Sequence, residues 1–293
     1  MLIDTGHQTI VVVGGDEALN DAINAIMFTP REIRSKISLA IVPNGIGNDF
    51  ADFWGLEVDS YKKSIQYIIE HRTRPIDVGY CSFSQDGEEK VRYFLMSVNV
   101  GLGAQAIRLS DKCRRWGKFN PTYIFALISL FKERKQYRMR LKLNNEDISE
   151  KIMTLCIGNS RGYGLTPSAF PYSGWLDVTI VGRPKLWQTI RGLLMLLHNK
   201  VLNHEDVRPY RSKKIEILES DNALTCIDGR TLNHTFPLTV SLETETVPLS
   251  FSIIVLTTSR PTPLPDTSVT TFAVENDGRN NKSIVSFSTC TIG

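Results

Sequence analysis

Thr9-Ile10-Val11-Val12-Val13-Gly14-Gly15-Asp16 and Leu39-Ala40-Ile41-Val42-Pro43-Asn44-Gly45-Ile46-Gly47-Asn48-Asp49-Phe50 decide how this chain is read. Each stretch is an apolar run that stops at glycines and gives way to an acidic residue opening a helical pattern. That is a strand, a turn and a helix, used twice. Glycine lets backbone N–H groups come close to a phosphate, and a helix N-terminus favours negative charge. Two such turns at the carboxyl ends of neighbouring parallel strands would face one crevice.

Outward from these turns, Leu19, Ala22, Ile23, Ile26 and Met27 recur at helical spacing, and Ile37–Val42 reads as the next strand. Tyr61, Ile65, Ile68 and Ile69 predict a further helix, with Asp59 or Ser60 as its N-cap. Alternating strands and helices imply a parallel sheet. From Arg74 the texture changes. Pro75–Phe83 and Lys90–Val98 flank Gln85-Asp86-Gly87-Glu88, a hairpin signature. Tyr137, Met139, Leu141 and Leu143 alternate, as do Ile215 and Ile217, Leu224 and Cys226, and Leu238, Val240 and Leu242. Val247, Leu249, Phe251 and Ile253 repeat the pattern. Such strands predict an antiparallel sandwich, interrupted by helices near 104–115, 121–133 and 185–200. The expected organisation is an α/β domain over 1–75, a β-sandwich over 76–256, and a Ser/Thr/Pro/Asn-rich tail over 257–293 expected to be disordered.

The 293 residues are 42% hydrophobic and 22% charged, as in soluble globular proteins. A net charge of +3 is too small to argue for a nucleic-acid partner, and none is expected. Basic residues cluster around the apolar stretch Pro121–Phe131: Lys112, Arg114, Arg115 and Lys118 before it, and Lys132, Arg134, Lys135, Arg138, Arg140 and Lys142 after it. The plain reading is a solvated, basic helix surface; the sharper one is a face lying against anionic lipid headgroups. The five cysteines have no metal-site or CxxC spacing, which fits reduced thiols in the cytosol. The start is too polar for a signal peptide, and no apolar run reaches the ~18 residues of a spanning helix.

Several further motifs follow the two turns in order: Ile76-Asp77-Val78-Gly79, Asn99-Val100-Gly101-Leu102-Gly103, Ile157-Gly158-Asn159-Ser160-Arg161-Gly162-Tyr163-Gly164, Pro167-Ser168-Ala169, Gly174-Trp175-Leu176-Asp177-Val178 and Ile227-Asp228-Gly229. Together they resemble the diacylglycerol kinase catalytic-domain family, the bacterial lipid kinases related to sphingosine and ceramide kinases. The resemblance covers about Thr9 to Leu256. It implies a Rossmann-like α/β domain followed by a β-sandwich, with ATP in the cleft between them. It also implies Mg²⁺-dependent transfer of the γ-phosphoryl group to a lipid hydroxyl at a membrane surface.

Residue by residue, the resemblance sets Gly14, Gly15, Asp16, Glu17, Ala18, Leu19 and Asn20 along the nucleotide, with Gly45, Ile46, Gly47 and Asn48 opposite. It makes Asp16, Asp49 and Asp77 the acidic network around Mg²⁺, and assigns catalysis to Asp228 and Asp16. The implied setting is cytoplasmic, with peripheral association at the inner membrane face and a place in phospholipid metabolism.

This chain departs from the family where the chemistry lies. Glu17 and Ala18 replace a glycine and a threonine, and Ile46 replaces a threonine. Arg230, whose guanidinium stays protonated, stands where the family carries its catalytic glutamate. Ser173 stands where an aspartate of a structural metal site is usual. The family's opening strand, helix and phosphate loop have no counterpart before Thr9, which leaves the first strand as an expected open edge and a candidate homodimer surface. The missing segment fits an expected fragment or mis-called start of a working lipid kinase, with a truncated α/β domain, whereas Glu17, Ala18, Ile46 and Arg230 fit the second reading, a catalytically degenerate, lipid-binding relative. An NAD kinase, which shares the Gly-Gly-Asp turn, is a lesser alternative.

Overall fold

The computed structural model describes residues 9–45, 48–58, 61–69, 73–114, 135–161, 165–182, 184–185, 187–188, 191–192, 195, 200–243, 253–254, 269–276 and 283–290. The chain divides into two compact units, Met1–Ile76 with Glu245–Gly293, and Asp77–Thr244.

The first unit is the α/β domain. Its elements run β1 (Thr9–Gly14), α1 (Asp16–Met27), α2 (Arg31–Arg34), β2 (Ser38–Pro43), α3 (Asp49–Phe53), α4 (Tyr61–Ile69) and β3 (Thr73–Arg74). β1 and β2 are parallel and in register from Thr9↔Ser38 to Gly14↔Pro43, so both strands end level with each other. The apolar runs that identified them are buried: Ile10, Val11, Val12, Leu39, Ala40 and Ile41 form the sheet core. Helix α1 covers them with Leu19, Ile23, Ile26 and Met27. Helix α4 buries Ser64, Tyr67 and Ile68, whereas Tyr61 and Ile65 are exposed. The expected stripe through Tyr61 and Ile65 is thus corrected. Positions 64, 67 and 68 share a face one position away, and Tyr67 fills it with a larger apolar surface.

The second unit is an antiparallel sandwich. It comprises β4 (Gly79–Gln85), β5 (Glu88–Phe94), β6 (Ser97–Gly101), α5 (Leu102–Arg114), β7 (Tyr137–Leu143), β8 (Glu146–Ile152), β9 (Thr154–Gly158), β10 (Leu176–Val181), β11 (Val207–Ser212), β12 (Lys214–Ser220), β13 (Thr225–Ile227), β14 (Arg230–Leu232) and β15 (Thr235–Leu242). One sheet has the order β5-β4-β15-β12-β7-β8, the other β11-β10-β9-β6-β13-β14. The β4–β5 turn is Asp86-Gly87, both at positive φ (55° and 81°), as a two-residue type I′ hairpin requires. Alternate residues of both sheets meet in one core that includes Phe83, Phe94, Val98, Tyr137, Leu141, Ile157, Val178, Ile217 and Val240. The opposite side of β7 exposes Arg138, Arg140 and Lys142. Arg140 lies 3.6 Å from Glu219 and Lys142 pairs across strands with Asp147 and Glu216, so these residues sit on a mixed-charge strand face, not on the basic helix surface of the plain reading. The apolar stretch Pro121–Phe131 and the basic residues from Arg115 to Arg134 lie outside the described residues.

The chain then returns to the first unit. β16 (Ile253–Ile254) pairs with β3, and β17 (Val269–Asn276) runs parallel to β1 on the side away from β2, with β18 (Ser283–Cys290) beyond it. Two corrections follow. The tail expected to be disordered contains two strands, because Val269-Thr-Thr-Phe-Ala-Val and Ser283-Ile-Val-Ser-Phe-Ser-Thr are rich in β-branched and aromatic residues within a composition that reads as polar overall. β1 is also paired on both sides, so it offers no open edge for a second copy.

Candidate functional site

The level ends of β1 and β2 bring the two glycine turns together. The Asn44 N–H donates to the Gly14 carbonyl at 3.0 Å, joining the turns directly. Gly15 is the N-cap of α1, in extended conformation and without a side-chain cap, so the first turn of this 12-residue helix begins at the turn itself. Gly14 is held to glycine by packing: a Cβ there would stand 2.9 Å from the Ala18 Cβ, one helical turn into α1. Leu19 and Asn20 are buried, while Glu17 and Ala18 are half-buried.

Asp16 is buried and faces the second turn rather than solvent. Its Oδ2 accepts the Asp49 N–H at 2.9 Å and its Oδ1 accepts the Phe50 N–H at 3.0 Å. A carboxylate from the first turn of α1 thus caps the N-terminus of α3. In α3 itself Asn48 is the N-cap but makes no side-chain cap bond. The Asn48 amide instead clasps Gly45, its Oδ1 accepting the Gly45 N–H at 3.0 Å and its Nδ2 donating to the Gly45 carbonyl at 2.8 Å. Ile46 and Gly47, between them, lie outside the described residues. Asp49 opens α3 near Asp52, whose carboxyl is raised above its usual range by burial and then by the charges of Asp49 and Glu57.

Asp77 belongs to the other unit, where it fixes a loop. Its N–H donates to the Pro171 carbonyl and its Oδ2 accepts the Gly174 N–H, both at 2.7 Å. Ser173, in the place of a metal-site aspartate, closes the same loop by donating to the Trp175 carbonyl at 3.0 Å and accepting the Trp175 N–H at 3.2 Å. Among the described residues, no group of three or more His, Cys, Asp or Glu is arranged to hold a metal ion. Asp16 and Asp49 belong to the first unit and Asp77 to the second. Asp16 gives each oxygen to a backbone N–H, and Asp77 gives one oxygen to Gly174.

Asp228 is 2% exposed and sits at φ 44° in the Asp228-Gly229 hairpin turn between β13 and β14. Its Oδ2 accepts the Leu95 N–H at 2.8 Å, and its Oδ1 accepts those of Met96 and Ser97 at 3.0 and 2.9 Å. These three residues carry the chain from one sheet to the other, out of β5 and into β6. The geometry is that of a structural pin, not of a base presented to a substrate hydroxyl. Asn159, which the motif reading quoted without a role, completes the junction: its Nδ2 donates to the carbonyls of Asp77 and Leu95 at 2.9 and 3.0 Å. The signal for it was the Gly158-Asn159 pair. Gly158 is required because a Cβ would stand 2.2 Å from the Thr166 Oγ1. Asp177 is likewise structural, held by Ser168 Oγ at 2.5 Å and Arg211 Nε at 2.9 Å. No described helix is long and apolar enough to cross a membrane.

The arrangement has clear counterparts among known proteins. Residues 2–81 match the family described as diacylglycerol kinase catalytic domain, and residues 96–255 match the YegS C-terminal NAD kinase beta sandwich-like domain. A diacylglycerol kinase of Mycobacterium tuberculosis is 24% identical over 217 residues, which are 72% of this chain and 67% of that protein. A protein of Pseudomonas syringae named "Probable lipid kinase YegS-like" is 29% identical over 194 residues, 64% of this chain and 59% of its own length. The crystal structure of a diacylglycerol kinase from Bacillus anthracis superposes with a TM-score of 0.60 at 20% identity, covering 85% of this chain and 78% of that one. That likeness supports the two-domain fold. With the second match spanning more than half of its length, the chain belongs to the diacylglycerol kinase/YegS family of lipid kinase-like proteins.

Proposed function

We propose that this chain is an ATP-dependent lipid kinase-type phosphotransferase that works at a membrane surface. The observation that carries the reading is the meeting of the two glycine turns at the ends of β1 and β2, clipped by Asp16 to the start of α3. The N-terminal N–H groups of α1 and the small residues Gly14 and Gly15 suit a polyphosphate. In the reaction the bond from the γ-phosphorus to its bridging oxygen breaks, a new bond forms to a lipid hydroxyl, and the hydroxyl proton leaves to a base or to water. Catalysis of this kind rests on positioning and charge stabilisation. Asp16 serves as a positioning residue that fixes one turn against the other. Mg²⁺ is the usual partner of ATP in kinases; Asp16, Asp49 and Asp77 are the carboxylates proposed to surround it and its waters, where it would offset triphosphate charge.

The second reading, a non-catalytic lipid-binding relative, is favoured by the pinning of Asp228 and by Arg230 in the place of a glutamate. One experiment separates the two: transfer of labelled phosphate from ATP to diacylglycerol, phosphatidylglycerol, ceramide or sphingosine in mixed vesicles, with NAD as a parallel acceptor. A labelled lipid supports the kinase, and a labelled dinucleotide supports the NAD kinase alternative. ATP binding without any product supports the non-catalytic relative.

A further inference from the structure

The loop Phe170–Trp175 of the sandwich carries three aromatic rings in six residues and holds them in a fixed frame. Tyr172 is 38% exposed and Trp175 43% exposed. Phe170 packs against Tyr172 with the rings tilted at 43° and their centroids 5.8 Å apart. Cations stand on two of the rings: Lys213 Nζ is 5.2 Å from the centre of Trp175, and the Arg161 guanidinium is 5.1 Å from that of Phe170. The pairing Leu176↔Ser212 explains the first contact, since it sets Trp175 and Lys213 side by side where β10 begins and β11 ends. Asp77 braces the loop through Pro171 and Gly174, and the Ser173 hydroxyl closes its tip. Asp177, the next carboxylate along the chain, is held by Arg211 and Ser168.

Trp and Tyr are the side chains that favour the headgroup level of a bilayer, with an apolar body and a polar edge. Basic side chains beside them add attraction to anionic lipid. We infer that Tyr172, Trp175 and Lys213 form the surface by which this protein docks on an anionic bilayer. The loop itself is uncharged; the cations of Lys213 and Arg161 standing on its rings select this occupant over an uncharged apolar partner, and the braced backbone presents the rings without an ordering cost on binding. The inference rests on the lipid kinase reading for its biological purpose, but not for its test.

The test is partition of the full chain onto phosphatidylcholine vesicles with and without about a third phosphatidylglycerol, measured by co-sedimentation. Wild type should bind the anionic vesicles, and less as salt rises. Tyr172→Ala with Trp175→Ala should lower the partition about tenfold, and Lys213→Glu by a similar factor. Phe28→Ala, an exposed aromatic of the other unit, should leave it unchanged. Thermal unfolding midpoints equal to wild type keep loss of fold from imitating the effect. Equal binding by wild type and the loop variants would overturn the inference, as would a change in sedimentation coefficient without a change in partition, which would mark the loop as a contact between copies. Phosphate transfer to detergent-dispersed lipid without vesicle binding would sink the docking surface and leave the kinase intact. Vesicle binding through the loop without transfer would do the reverse.

Discussion

The Asp16 carboxylate caps a helix that begins 33 residues after it, accepting the N–H of Asp49 at 2.9 Å as it does that of Phe50. An acidic residue at the first position of α1 is favourable for α1's own dipole, yet its oxygens satisfy the first N–H groups of α3. One side chain therefore serves two helix N-termini and sets the spacing of both glycine turns.

Asp16→Ala should cost about 1–3 kcal/mol of unfolding free energy, the range for a lost cap with two buried N–H groups left unpaired. It should weaken ATP binding in the same variant, because the turns lose their clip. Asp16→Asn keeps one acceptor oxygen and should fall between. Urea unfolding and a nucleotide titration read the two effects. Full stability with abolished transfer would show a direct chemical role instead.

Asp228→Ala leaves the N–H groups of Leu95, Met96 and Ser97 without their acceptor in a buried junction, and should destabilise the sandwich by about 3 kcal/mol or more. If Asp228 were a base, Asp228→Asn would stop phosphate transfer while the urea midpoint stayed near wild type. The pin predicts the opposite order: stability falls first.

His234 is held below its usual range by burial, partly offset by the Thr235 backbone, and its Nε2 lies 2.8 Å from the Thr225 Oγ1. As pH falls through about 6.5, the unfolded chain takes up a proton that the folded chain resists. Stability contributed at neutral pH is thus lost toward acid. Unfolding free energies of wild type and His234→Gln, measured from pH 7.5 to 5, should differ in slope, with the variant flatter. Parallel curves would contradict the assignment.

Asp52 has the opposite sign for a carboxylate, since burial and the charges of Asp49 and Glu57 raise it. The fold disfavours its ionised form, so Asp52→Asn should raise the melting temperature at pH 7. The gain should vanish below about pH 4, where the residue is protonated in both states.

Burial pushes the Cys156 thiol up to about 12, with Thr166 and Ser97 offsetting part of it, and lifts Cys81 well above the usual thiol range. The thiolate is the reactive form. Iodoacetamide should leave both unmodified in the native protein at pH 8 and label them fully in urea, as peptide mapping would read. Native labelling of Cys156 at a free-thiol rate would show that the sheet face around it opens.

Local sequence determined much of this protein. Apolar runs ending at Gly14 and Pro43 specify β1 and β2, and Asp86-Gly87 specifies a hairpin, because strand burial and positive φ act within a few residues. The alternation from Tyr137 to Leu143 specifies a half-buried strand for the same reason. The recurrence of these motifs in order was enough to reach the family. Composition misread the tail, because β17 is stabilised by its partner β1, which lies some 260 residues earlier in register Ile10↔Thr270. What only the tertiary structure decided is which partner each carboxylate takes. Asp16, Asp77 and Asp228 look alike in sequence, each within two residues of a glycine, and each could serve a metal, a proton or a helix end. Backbone N–H groups from residues 33, 97 and 133 positions away claim them, and such long-range hydrogen bonds leave no periodic trace in the chain.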